Sequence, residues 1–234
     1  MRVDRQGLSE GDPTLDAEAV ETAAFVLALR AKGFRDKAVL GAMERVPRTL
    51  FAPPRFADLS RSDVALPLPF GQTMSSPTTV AAMLVALGLE EGQAVYEVGT
   101  GSGYVAALMA RLGGAVESVE RIGALADAAA LRLGQLDVAD RIALGVGDGL
   151  TPRRNRERFP RILVNGALAA FPDTLLERLA PGGRLVGALS VEGFPRLVVV
   201  EKDAEGVLHR RLGASVRIAP LVAGGSSAAG ATRA

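Results

Sequence analysis

Short apolar runs alternate with helical patterns along most of the chain, and this alternation predicts a sheet covered by helices. Strands are expected at 94–98, 115–120, 141–146, 162–164, 184–189, 197–202 and 215–218. Helices are expected at 16–32, 36–45, 77–87, 104–112, 123–133 and 173–179. Strands that alternate with helices form βαβ units, which build a doubly wound, mostly parallel sheet. The last two strands have no clear helix between them, which predicts an antiparallel edge.

The segments outside this α/β core have a different pattern. Residues 1–14 are polar and residues 223–234 are rich in Gly, Ala and Ser, so both ends are expected to be disordered. Residues 46–77 hold several Pro and Gly residues and little periodicity. A long irregular segment in a compact domain is often functional. We therefore expect one domain, with an N-terminal helical region at 15–77 and a core at 78–222.

Composition limits the chemistry that the chain can perform. Its 234 residues include no Cys, no Trp and a single His, His209, and its net charge is +1. No disulfide or thiolate site is available, and a single His cannot form a cluster of metal ligands. Few aromatic residues and no long basic run argue against nucleic-acid binding. The apolar runs are shorter than the roughly 20 residues of a membrane span and no signal peptide is visible, so we expect a soluble, cytoplasmic protein.

A glycine-rich turn follows the first core strand and opens the next helix. It reads Glu97-Val98-Gly99-Thr100-Gly101-Ser102-Gly103. Glycines are required where a turn is tight and a ligand approaches the backbone closely, although a turn without any ligand is the alternative interpretation. A dinucleotide fingerprint would place its last Gly at Tyr104, which argues against a nicotinamide cofactor.

Acidic residues stand at the ends of the next two strands. Glu120 ends the second strand, and an acid at that position can accept hydrogen bonds from both hydroxyls of a ribose. The third strand runs into Gly147-Asp148-Gly149. Each feature alone could be a surface acid or a plain turn. Because ligands of doubly wound sheets bind at the carboxyl ends of the strands, the three features together predict one ligand site there.

The Gly-x-Gly-x-Gly spacing, with an acid two residues before the first Gly, resembles motif I of class I S-adenosylmethionine-dependent methyltransferases. This resemblance implies a Rossmann-like α/β fold, with S-adenosylmethionine as cofactor and S-adenosylhomocysteine as product. In the resembled enzymes, the acid at the position of Asp148 faces the adenine amino group. The expected cofactor contacts are Glu97, Gly99, Thr100, Gly101, Ser102, Gly103, Glu120, Arg121, Asp148 and Gly149.

Further segments are similar to the protein-L-isoaspartate O-methyltransferase family, and the resemblance covers roughly residues 25–221. The matching positions are 29–34, 39–40, 43–48, 50–51, Asp63, 66–67, 71–77, 180–186 and 216–221. Residues 71–77, Gly-Gln-Thr-Met-Ser-Ser-Pro, resemble the family's G-Q-T-I-S-x-P segment, which is specific to it. Pro-Gly-Gly at 181–183 is shared by many methyltransferases.

The family resemblance implies methyl transfer to the free carboxylate of L-isoaspartyl residues in damaged proteins and peptides. By family position, Ser75 binds the acceptor carboxylate and Thr73 helps to shape its pocket. Residues 15–77 are then the acceptor side and residues 78–222 the cofactor-binding core of a monomer. Since a carboxylate is already ionised at neutral pH, catalysis is expected to come mainly from positioning.

Several positions depart from the family pattern. They are Arg61, Pro69, Phe70, Pro160 or Arg161, Asn165 and Gly166. Arg61 stands where the family usually has Tyr, and Pro69-Phe70 stand where it commonly has Gly-His. Pro160 or Arg161 replaces an Asp. Asn165-Gly166 replaces Thr-Ala. The cofactor half therefore keeps the pattern, while the acceptor half is altered. Two alternatives stay open: a carboxyl methyltransferase with a redirected peptide or small-molecule acceptor, and a catalytically silent cofactor-binding module.

Overall fold

The computed structural model describes residues 13–151 and 157–224, with side chains from residue 18 onward. The ends at 1–12 and 225–234, where disorder was expected, lie outside the described residues. The first helix begins earlier than the sequence pattern indicated, at Pro13. Among the described residues, no helix is both long enough and apolar enough to cross a lipid bilayer.

Three helices form the N-terminal part: α1 (Pro13–Ala31), α2 (Lys37–Arg45) and α3 (Arg48–Phe51). The α2 helix begins at Asp36, whose carboxylate accepts a hydrogen bond from the Val39 backbone N–H at 2.9 Å. This side-chain cap satisfies one of the donors that a helix start leaves free. Val39, Leu40 and Met43 of α2 are buried together with Phe25 and Leu29 of α1 in the main apolar cluster.

The segment after α3 is irregular, as expected, but a buried arginine organises it. It contains 3-10 turns at Pro54–Leu59 and Pro69–Gly71 and an antiparallel ribbon of β1 (Leu66–Pro67) and β2 (Thr73–Met74). Arg48 is only 4 % exposed. Its guanidinium donates hydrogen bonds to the backbone carbonyls of Ser60, Val64 and Ser75 at 2.6, 3.1 and 3.0 Å. One side chain therefore joins three parts of a segment that has little regular structure.

The core is a seven-stranded sheet. Its strands are β3 (Ala94–Val98), β4 (Ala115–Glu120), β5 (Ile142–Val146), β6 (Phe159–Leu168), β7 (Leu179–Val191), β8 (Phe194–Lys202) and β9 (Leu208–Ser215). They lie in the order β5-β4-β3-β6-β7-β8-β9. The first five are parallel, and β8 and β9 add an antiparallel edge. The predicted α/β fold, with a mostly parallel sheet, is confirmed.

Helices and apolar clusters cover both faces of this sheet. The helices are α4 (Pro77–Leu87), α5 (Tyr104–Arg111), α6 (Gly123–Leu133) and α7 (Asp173–Leu176). Side chains of α4, α5 and α6 belong to one cluster and those of α7 to the other. Ser76 caps α4 as predicted, and Gly88, with a φ of 55°, ends it. Both β3 and β6 are buried on both faces, which is typical of central parallel strands.

Several boundaries differ from the sequence-based expectation, and β7 and β8 are both longer than the expected 184–189 and 197–202. The fourth core strand is β6, which is much longer than 162–164, and α7 ends before 179 because β7 begins there. The expected strand at 215–218 is wrong, since the last strand is β9. As the sheet's edge, β9 is exposed along nearly its whole length and therefore lacks an apolar pattern. Val216 and Ile218 are apolar for another reason: they pack on the main cluster as the chain returns across the sheet.

Candidate active site

A cavity lies at the carboxyl ends of β3, β4, β5 and β6. The space between its walls, including the open mouth, is about 580 Å³. Gln72 and Thr73 of the ribbon line one part of it, and Leu221 and Val222 of the C-terminal segment line another. The predicted site residues that line it are Thr73, Gly99, Gly101, Glu120, Arg121, Asp148 and Gly149.

The glycine turn between β3 and α5 has a backbone that only glycine adopts without strain. Gly99, Gly101 and Gly103 have φ values of 92°, 56° and 92°. Gly99 and Gly101 line the cavity. Gly103 has another task, because a Cβ there would lie 3.2 Å from Ala129 and 3.3 Å from Leu133 of α6. The first two glycines therefore open the backbone to a ligand, and the third lets α6 pack closely.

Glu120 is held in a fixed orientation at the end of β4. It is 6 % exposed, and its two carboxylate oxygens accept hydrogen bonds from the backbone N–H groups of Gly101 and Ile122, each at 2.9 Å. A carboxylate offers about four lone-pair sites, so each oxygen can accept one further hydrogen bond. The side chain can therefore bind the glycine turn and two hydroxyl groups of a ligand at the same time.

Asp148 follows β5 on the same side of the sheet. Its carboxylate accepts hydrogen bonds from the backbone N–H groups of Leu150 at 3.0 Å and Gly224 at 2.8 Å. Partial burial acts to raise the pKa of Asp148, but hydrogen bonds from Gly224, Leu150 and Thr151 outweigh it and hold that pKa below its usual value. Asp148 is therefore an ionised acceptor at neutral pH.

Gly149 lets the turn after β5 lie directly against β3. A Cβ at Gly149 would come within 2.9 Å of Val98, and the Tyr96 hydroxyl donates to the Gly149 carbonyl at 3.1 Å. The Arg178 guanidinium stacks over the Tyr96 ring, 4.0 Å from its centroid. Asp148 is thus placed by backbone contacts on both sides of its turn.

Glu97 lies beneath the glycine turn and does not reach the cavity. It is 0 % exposed, and its Oε2 accepts a hydrogen bond of 2.5 Å from the Ser118 hydroxyl, which is also hydrogen-bonded to the Thr100 hydroxyl at 2.5 Å. Its Oε1 has no partner among the described residues. Burial raises the pKa of Glu97 to about 8, and the nearby Glu120 carboxylate acts in the same direction. A neutral carboxyl tolerates an unpaired oxygen better than a carboxylate does.

Three other predicted site residues are buried away from the cavity surface. Thr100 and Ser102 of the glycine turn are 1 % and 4 % exposed, and Ser102 Oγ accepts a weak hydrogen bond from the Tyr104 backbone N–H at 3.4 Å. Ser75 is 7 % exposed and stands next to Met74 and the lining residue Thr73. Its backbone carbonyl is bound by Arg48. The structure thus brings the acceptor ribbon to the cofactor cavity, with Thr73 at the surface and Ser75 behind it.

The departures from the family pattern separate into two kinds. Arg61 and Arg161 stabilise the fold: Arg61 forms ion pairs with Glu18 and Glu21 of α1, and Arg161 donates to the Gly88 carbonyl at the end of α4. Asn165 lines the cavity, and Phe70 lies in the turn of the ribbon, two residues before the lining residue Gln72.

Asn165 and Gly166 connect the glycine turn to the C-terminal segment. The Asn165 amide donates to the Gly99 carbonyl at 3.2 Å, and its Oδ1 is buried without a partner among the described residues. A Cβ at Gly166 would come within 2.7 Å of Leu221. Glycine therefore lets Leu221 reach the cavity. Sequence patterns did not identify Gln72, Leu221 or Val222 as lining residues, because the chain path that brings them there is long-range.

Solved structures share this architecture. One is a Plasmodium falciparum protein described as a protein-L-isoaspartate O-methyltransferase, crystallised in complex with S-adenosyl-L-homocysteine; its TM-score is 0.76 at 19 % identity, over 85 % of this chain and 97 % of that one. A second protein-L-isoaspartate O-methyltransferase gives 0.74 at 22 % identity, over 86 % and 66 %. The fold is that of class I S-adenosylmethionine-dependent methyltransferases.

Sequence relationships place the chain within this class. The family model of protein-L-isoaspartate(D-aspartate) O-methyltransferase matches residues 20–226, and the chain belongs to this family. The protein-L-isoaspartate O-methyltransferase of Azorhizobium caulinodans is 42 % identical over 213 residues, which are 89 % of this chain and 96 % of that one. The enzyme of the same description from Anaeromyxobacter dehalogenans is 44 % identical over 191 residues, 81 % and 91 % of the two chains.

The buried carboxyl of Glu97 makes stability depend on pH. Because its pKa is about 8 in the folded chain against an ordinary 4.5, folding takes up a proton between these values. The stabilisation that is fully present below pH 4.5 is therefore lost as the pH rises from that value through about 8, by at most about 1.4 kcal/mol per pH unit. We expect Glu97→Gln to remove this slope in urea unfolding at pH 5, 6.5 and 8.

The exposed Glu91→Gln variant is the matched control for this measurement, and it should keep the slope of the parent protein. Parallel stability curves for the parent protein and the Glu97 variant would show that Glu97 is ionised in the folded state.

Proposed function

We propose that the protein transfers the methyl group of S-adenosylmethionine to the free carboxylate of L-isoaspartyl residues in damaged proteins and peptides. The observation that carries this proposal is a shared cavity. Gln72 and Thr73, from the family-specific segment, line the same space as Gly99, Gly101 and Glu120. Acceptor-side and cofactor-side residues therefore meet in one site, as group transfer between two bound molecules requires.

The residues of the cavity fit S-adenosylmethionine. Glu120 offers two oxygens in a fixed orientation for the ribose hydroxyls, and Asp148 offers an ionised acceptor for the adenine amino group. Gly99 and Gly101 allow the amino-acid portion of the ligand to approach the turn, with Gly149 and Arg121 completing the wall. The cofactor supplies a methyl group on a positively charged sulfur, which is an activated leaving group.

The buried members of the predicted site act on the cofactor through the turn. Glu97 and Thr100 are linked by the Ser118 hydroxyl, and their hydrogen bonds hold the backbone that Gly99 and Gly101 present. Ser102 lies at the start of α5, and Gly103 allows α6 to pack behind the turn. Among the described residues, the cavity lining does not include Glu97, Thr100, Ser102 or Gly103.

Methyl transfer needs no strong base in this site. The attacking carboxylate oxygen forms a bond to the methyl carbon while the carbon–sulfur bond breaks, and the electron pair of that bond stays on sulfur. A carboxylate with an ordinary pKa near 4 is already ionised at neutral pH. Thr73 at the cavity surface, with Ser75 directly behind it, therefore has the role of holding the acceptor oxygen in line with the methyl group. Arg48 supports Ser75 by binding its backbone carbonyl.

A redirected acceptor is the second candidate function, and Phe70 and Asn165 favour it. Both differ from the family pattern; Asn165 lines the cavity, and Phe70 lies two residues before the lining residue Gln72. This candidate keeps the same cofactor and the same carboxyl chemistry, so it differs only in the molecule that is methylated.

Peptide methylation distinguishes these functions. We expect base-labile methyl ester from labelled S-adenosylmethionine on a peptide with L-isoaspartate, and none on the same peptide with L-aspartate. Ser75→Ala should lower kcat/KM about 10- to 100-fold, the size expected when one hydrogen bond to a charged group is lost. The exposed Ser62→Ala variant of the same segment is the control. Transfer to neither peptide, with cofactor binding intact, would contradict the repair function.

Cofactor affinity tests the role of Glu120. Glu120→Gln keeps the size of the side chain but removes its charge and one acceptor oxygen. We expect calorimetry to show S-adenosylhomocysteine binding weakened about 10- to 100-fold. Asp127→Asn, on the exposed face of α6, should bind as the parent protein does. Equal affinities of the parent protein and the two variants would show that Glu120 does not bind the ribose.

We further propose that the enzyme acts as a cytoplasmic monomer. A chain without Cys suits a reducing compartment. Light scattering should give a mass near 24.3 kDa. A mass near twice that value at micromolar concentration would show that the protein is a dimer and would contradict the proposal.

A further inference from the structure

Phe70 combines two features that are unusual for a bulky residue. Its side chain is 61 % exposed, and its backbone is left-handed, with a φ of 61° and a ψ of 27°. This conformation is strained for any residue with a large side chain, whereas Gly or Asn adopts it readily. Burial of the ring does not offset the strain. Strained residues of this kind cluster at functional sites, where the strain serves a contact.

The position of Phe70 connects it to the cavity. It lies in the turn of the β1–β2 ribbon, which a backbone hydrogen bond of 2.8 Å from Leu68 to Gln72 closes. The Gln72 side-chain amide donates to the Phe70 carbonyl at 3.1 Å, and Gln72 itself lines the cavity. A residue of the cavity wall therefore contacts the Phe70 backbone directly, and the Phe70 ring extends into solvent from the same turn.

The C-terminal segment provides a second exposed apolar side chain at the same cavity. Val222 lines the cavity and is 58 % exposed. Its neighbour Leu221 is anchored by its backbone N–H, which donates to the Ala167 carbonyl at 2.8 Å. The ribbon and this segment both border the cavity, so a peptide whose carboxylate enters it must place its neighbouring residues near Phe70 or Val222.

We propose that Phe70 is a specificity-determining residue whose ring packs against an apolar side chain adjacent to the methyl-accepting residue of the substrate peptide. The inference rests on the proposed carboxyl methyl transfer. Packing the ring against an aliphatic or aromatic neighbour removes apolar surface of both partners from water. A small polar neighbour gives no such gain. The family pattern has His where Phe70 stands, so this preference is a property of this chain.

Two isoaspartyl peptides test the proposal, identical except that both residues flanking the isoaspartate are Leu in one and Ser in the other. We expect the parent protein to show a kcat/KM for the Leu peptide about five- to tenfold above that for the Ser peptide, the size of one partly exposed apolar contact. Phe70→Asn, which suits the left-handed backbone, should bring this ratio to about one. Phe70→Tyr, which keeps the ring, should preserve it.

The melting temperature of the Asn variant separates folding from recognition, because relief of strain should leave it equal to that of the parent protein or higher. If Phe70→Asn lowers kcat/KM equally for both peptides, or leaves their ratio unchanged, this inference is overturned and the proposed function stands. No transfer by the parent protein to either peptide would overturn the proposed function as well.

Discussion

The site depends on the way β4 holds the glycine turn that follows β3. The two strands are parallel and pair Glu97 with Ser118 directly across the sheet. Two residues further along β4, Glu120 accepts the Gly101 backbone N–H. The turn is therefore bound from the neighbouring strand both below, through the Ser118 hydroxyl, and at the cavity surface, through Glu120. Because its glycines have left-handed backbones, this support from β4 fixes a conformation that the turn alone would exchange for others.

The acceptor side has a different kind of support. Arg48 is a buried cation whose described partners are backbone carbonyls, and these come from both ends of the irregular segment. Bonds of this kind are directional, and an unpaired buried carbonyl is costly, so the segment has few alternative arrangements. The β1–β2 pairing and the Arg48 hydrogen bond to the Ser75 carbonyl therefore hold Thr73 and Ser75 in place. The proposed positioning of an acceptor carboxylate requires such support.

The altered family positions show that a departure from a pattern does not by itself indicate altered function. Arg61 and Arg161 make contacts with α1 and with the end of α4. Gly166 accommodates the Leu221 side chain. Asn165 brings an amide oxygen without a described partner to the cavity wall, and Phe70 places an exposed ring two residues before the lining residue Gln72. We propose that acceptor choice depends on these two residues.

The sequence by itself determined the parts of the protein that depend on local pattern. Glycine spacing, the capping Ser76 and the apolar core strands predicted the fold and half of the cavity wall, because turn geometry and strand-end position follow from neighbouring residues. Only the tertiary structure showed that Glu97 is sealed beneath the turn, that β9 precedes 216–218, and that Leu221 and Val222 return to the cavity. These features depend on contacts between distant segments: an exposed edge strand has no apolar alternation, and Leu221 reaches its place through hydrogen bonds to Ala167, more than fifty residues earlier.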